Sequence, residues 1–62
     1  MSPIIFRIVP HDGAWSVERD GQFSHRSQDK AVAIASATKL AREAISSGRP
    51  AQVRIHGETG YL

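Results

Sequence analysis

The chain predicts an α+β fold of β-β-β-α-β order: a four-stranded mixed sheet of order 3-2-1-4 with one long helix packed on one face. Three observations predict it. Two turn signals, Pro10-His11-Asp12-Gly13 and Asp20-Gly21, separate short segments rich in β-branched and aromatic residues, which is the punctuation of an antiparallel meander. An alanine-rich stretch of helical period follows, from Gln28 to about Ser47. A cleanly alternating segment, Ala51-Gln52-Val53-Arg54-Ile55-His56, closes the pattern as a last strand.

The first strand, Ile4 to Val9, is apolar on both faces, with Ile4, Phe6 and Ile8 on one and Ile5, Arg7 and Val9 on the other. That two-sided pattern suits the centre of a sheet. Pro10 has no N–H to give a ladder and is expected to end the pairing. Gly13 supplies the positive φ that a tight turn needs. Trp15-Ser16-Val17-Glu18 alternates as a half-buried strand does. Gln22 to Arg26 forms a more polar third strand, suited to an exposed edge, with Phe23 expected to face the core.

Ser27 is the expected helix N-cap, and Asp29 in the first turn complements the helix dipole. Ala33, Ile34, Ala37, Leu40, Ala41, Ala44 and Ile45 form one apolar stripe, while Lys39, Arg42 and Glu43 face away. Gly48 followed by Pro50 stops the helix. Small residues on the stripe let the helix sit close to a sheet crowded by Phe6, Trp15 and Phe23. A right-handed crossover brings the fourth strand beside the first and parallel to it. The expected core joins Phe6, Ile8, Trp15, Val17, Phe23, Val53 and Ile55 to Ile34, Ala37, Leu40 and Ala41. After Gly57-Glu58-Thr59-Gly60 turns the chain, Tyr61-Leu62 is left as a stub.

Sixty-two residues make one domain, 1–62. A chain this short buries only ~60% of the surface its unfolded form exposes, so its stability is marginal and it benefits from a staple. Without cysteine there is no disulfide, and three scattered histidines lack ligand spacing, so neither metal nor cofactor is expected. Self-association is the remaining staple. The net charge of +2, from eight Lys+Arg against six Asp+Glu, is too small to define a partner without knowing where the charges lie. No signal peptide and no run of ~20 apolar residues is present, so a cytoplasmic protein without membrane association is expected.

Pro10-x-x-Gly13-x-Trp15-x-Val17, then Gly21, Lys30-Ala31-Val32 and Val53-x-Ile55-His56-Gly57-x-x-Gly60 together resemble a small bacterial family, the domain of unknown function 2188. The resemblance runs from about Phe6 to Tyr61. It implies a compact α+β domain and no established catalytic residues. The strand order is also similar to the first half of a ribonuclease H-like fold, as in HicB-type antitoxins, a likeness of fold that carries no activity.

The sheet face turned away from the helix is the expected interaction surface, built from Ile5, Arg7, Val9, Arg26, Arg54 and His56. Ile5 and Val9 on a central strand call for a cover, supplied either by a partner or by arginine stems. Arg7, Arg26 and Arg54 come from three strands and make a sparse basic surface, in which Glu18 is expected to pair with an arginine. The fourth strand adds an open edge able to accept a strand from another chain. No catalytic constellation stands out. His11-Asp12 is explained by turn chemistry, Ser27 by capping, and Gly57-x-x-Gly60 lacks the lysine and helix of a phosphate loop. The expected function is therefore a non-enzymatic interaction module that self-associates as a homodimer or docks a protein partner, through the open sheet face or an edge strand. Weak nucleic-acid binding by the basic face is the second reading.

Overall fold

The computed structural model describes residues 2–57. Strand β1 runs Ile4–His11, β2 Ala14–Arg19 and β3 Gln22–Ser27, followed by helix α1 at Lys30–Ser46 and strand β4 at Ala51–Ile55. The sheet order is β3-β2-β1-β4, with β4 parallel to β1 and the other pairs antiparallel. This is the topology the sequence predicts. Tyr61-Leu62, expected as a stub, lies outside the described residues.

Both hairpins use two-residue loops whose central positions have positive φ: Asp12 at 50° and Gly13 at 76°, then Asp20 at 52° and Gly21 at 83°. Such loops match the right-handed twist of the flanking strands. The second turn is braced by the Glu18 carboxylate, whose Oε2 accepts the Gly21 N–H at 2.8 Å.

Pro10 does not end the pairing, contrary to expectation: β1 continues to His11, with Pro10 opposite Trp15. The register explains why. Ile8, two residues earlier, turns its carbonyl towards β4, where it accepts the His56 N–H at 2.9 Å. By the alternation of an antiparallel pair, the Pro10 nitrogen also faces the β4 side. Strand β4 ends at Ile55, opposite Ile8, so no ladder bond is lost there.

Phe23 is the second correction. The Asp20-Gly21 loop sets Arg19 opposite Gln22 and Glu18 opposite Phe23. Directly opposed residues share a face. Phe23 therefore joins Glu18 on the side away from the helix and is 46% exposed. A bulge between Trp15 and Val17 then lets β3 gain a residue, with His25 at a φ of 53°.

Helix α1 begins two residues later than expected. Asp29, not Ser27, is the N-cap: its Oδ1 accepts the Ala31 N–H at 2.9 Å. The Ser27 hydroxyl accepts the Asp29 N–H at 3.1 Å, so it shapes the approach to the cap. At the other end, Gly48 at a φ of 86° donates to the Ile45 carbonyl and Arg49 N–H to that of Ala44, the paired bonds of a Schellman motif.

Ala33 and Ala37 are wholly buried and Ala41 nearly so, packed with Phe6, Ile8, Val17 and Val53. Ile4, Trp15, Ile34, Leu40, Ala51 and Ile55 border this core. The Lys30 ammonium caps the Trp15 ring at 4.8 Å, and the Arg19 guanidinium lies 5.7 Å from the centre of Phe6. Ile45 departs from its expected place in the stripe and is 57% exposed. Eight residues on from Ala37, it has rotated about 80° from the core direction at 3.6 residues per turn.

Two stability measurements check this account. Asp29→Ala should lower the unfolding free energy by about 1 kcal/mol in a denaturant titration, and Ser27→Ala by less. Ala37→Leu should cost about 1–3 kcal/mol, because the added atoms meet a close-packed sheet.

Candidate functional site

The pairing registers assemble the outer sheet face strand by strand. Across its middle run Phe23, Glu18, Arg7 and Arg54, each directly opposite the next. Ile5 lies opposite Gln52, and Val9 opposite Ser16. His56, just past β4, donates its backbone N–H to Ile8 next to Val9. The structure thus brings Ile5, Arg7, Val9, Arg54 and His56 together. Arg26 sits apart, within the bulge of β3, and its guanidinium donates to the backbone carbonyl of Asp12.

The charges on this face are largely matched from within. Arg7 Nη1 lies 3.9 Å from Glu18 Oε1, the ion pair the sequence leads one to expect. Arg54 Nη2 donates to Gln52 Oε1 at 3.3 Å. Ile5 and Val9 are half-buried rather than bare. A shallow cleft of about 330 Å³ at one end of the sheet gathers Arg7, Arg19 and Arg49 with Glu18 and Asp20. Arg19 Nε lies 3.8 Å from Asp20 Oδ2, so cations and carboxylates alternate round the cleft.

A feature absent from the expected surface occupies its centre. His11 of β1 and Phe23 of β3 flank β2 and stack face to face, with ring centres 3.8 Å apart and planes 4° from parallel. Ser16, 2% exposed, and Ala14 are the β2 residues between them on this face, and both are buried. The aromatic pair therefore roofs the outer side of β2. The signal that could have found it is the Asp20-Gly21 loop length, which fixes Phe23 opposite Glu18. His11 Nε2 is also 3.8 Å from Asp12 Oδ2, on an exposed turn. Among the described residues, no three of His, Asp and Glu are grouped so as to hold a metal ion. No helix among them is long and apolar enough to cross a membrane.

These features define a small α+β domain with one face of its sheet covered by a helix and the other by its own side chains. The chain belongs to the family described as an uncharacterized protein conserved in bacteria (DUF2188), whose model matches residues 6–61. No curated protein matches the chain. No solved structure matches it either.

A double-mutant cycle on His11→Ala and Phe23→Ala should return a coupling of about 0.5–1.5 kcal/mol in unfolding free energy, the range for stacked aromatic pairs. Additive effects would show that the rings contribute only their separate burial.

Proposed function

We propose that this domain is a non-enzymatic interaction module that self-associates. Of the two surfaces open to a partner, the outer face is already supplied with its own cover. The β4 edge is not. The observation that carries the reading is the exposure of Ile45 beside that edge. Ser36, Leu40 and Glu43 of α1 share a cleft with His25 of β3, so this flank of the helix looks towards β3. By helical period, Ile34, Thr38 and Ile45 lie on the opposite flank, above β4. With half-buried Ile55 they make an aliphatic border along a strand whose outer side has no neighbour among the described residues. A small domain gains stability when a second copy covers such a border.

Sedimentation equilibrium over a concentration series tests this. The expected result is a species of twice the 6.8 kDa chain mass, and Ile45→Glu should return it to the monomer with its unfolding transition intact. A monomer at every concentration would overturn the proposal.

A second reading has one observation in its favour: Arg7 and Arg54 stand side by side in register on the outer face. Together with Arg26 they would contact phosphates. The Glu18 carboxylate, the Asp12 carbonyl and the Gln52 side-chain oxygen already engage these three guanidiniums, which weighs against it. Binding of a DNA duplex or single strand that weakens with salt and is lost in Arg54→Ala would support this alternative. No binding at low salt would remove it.

A further inference from the structure

We infer that the partner at the β4 edge is a second copy of this chain, joined antiparallel about a two-fold axis at Val53 to make one eight-stranded sheet. The inference rests on the self-association proposed above and specifies its geometry.

The two edges of the sheet differ in what they offer. Strand β3 is blunted by a bulge, a residue at positive φ and an almost wholly polar sequence, devices that discourage further pairing. Strand β4 has no proline, glycine or bulge between Ala51 and Ile55. Its polar groups can be assigned from two bonds. The Pro50 carbonyl accepts the Ile4 N–H, and the His56 N–H donates to the Ile8 carbonyl, both at 2.9 Å. Even-numbered residues of β4 therefore bond β1. The N–H and C=O groups of Ala51, Val53 and Ile55 face outwards by the alternation of a strand.

Those three residues restrict the register. An axis at Val53 pairs it with its own copy and sets each Ala51 opposite the partner's Ile55, so all three outward-facing residues bond. Axes at Gln52 or Arg54 use only two of the three. An axis at Arg54 also opposes two guanidiniums, whereas the Val53 axis sets Gln52 opposite the partner's Arg54. The Gln52 carbonyl oxygen already accepts from Arg54 within one chain, so the two side chains are suited to each other. The same axis brings the small Ala51, at the Ile45 end of the helix, beside the larger Ile55 of the partner. Exposed Ile45 then meets aliphatic surface instead of water.

The chain has no cysteine, so engineered thiols report the register directly. Gln52 and the partner's Arg54 would form a non-hydrogen-bonded pair with Cα atoms about 4.5 Å apart, within disulfide reach. Two copies of Gln52, or two of Arg54, would be about 8 Å apart and beyond it. An oxidised mixture of Gln52→Cys and Arg54→Cys proteins should give the mixed disulfide dimer, and neither protein alone should cross-link. Ala51→Pro removes one outward N–H and no bond to β1, so it should weaken the dimer measured by sedimentation while leaving the fold intact. Cross-linking of either protein with itself overturns this register. So does a sedimenting dimer with no cross-link, although self-association then stands. A monomer overturns both inferences.

Discussion

The close approach of α1 to the sheet is the contact on which the rest of this domain depends. Ala33, Ala37 and Ala41 succeed one another at four-residue intervals and put no bulk between the helix backbone and Phe6, Ile8, Val17 and Val53. A single helix must shield four strands, and it does so by lying low over them. Larger side chains, Ile34 on one flank and Leu40 on the other, fill the angles between cylinder and sheet. The caps matter for the same reason. Asp29 starts the helix and Gly48 stops it, so all three alanines lie within its hydrogen-bonded length.

The outer face solves a different problem. With no second layer above it among the described residues, the sheet covers β2 by stacking His11 on Phe23 and matches Arg7 against Glu18. This surface is more finished than a count of its aliphatic residues suggests. Its apolar atoms lie between long side chains and rings, a common way for a solvated sheet face to manage exposed hydrocarbon. What remains unfinished among the described residues is lateral: the strip along β4 where Ile45 is exposed.

The strand order and the helix were legible in the sequence because several local signals agreed. Two loops with glycine, one alanine-rich period and one alternating strand leave little freedom in how the chain is threaded. The pattern misleads where one residue type carries two meanings. Phe23 reads as a core residue because it is aromatic, although the loop before it dictates the opposite face. Ser27 and Asp29 are both competent caps, and composition alone does not rank them. Pro10 signals an end to pairing only where a partner strand lies on the side of its nitrogen. Of the candidate surface, the grouping of Ile5, Arg7 and Val9 with Arg54 and His56 followed from strand alternation. The separation of Arg26 did not, because it depends on a bulge that no residue pattern announced. The exposure of Ile45 needed the accumulated rotation of the helix rather than its membership of an apolar stripe.

The difference between the two sheet margins bears on how large any assembly can grow. A sheet able to pair along both margins has no natural end, since each added molecule presents a fresh template and the product is a fibre. Here the bulge in β3 leaves one side of the molecule unfit to receive a strand. In the proposed dimer, joining along β4 would consume the one margin of each molecule that is free of a bulge among the described residues, and growth would halt at two. In a chain this small, the misaligned residue pair at His25 and Arg26 would then act as a terminator, separating the proposed finite complex from an aggregate.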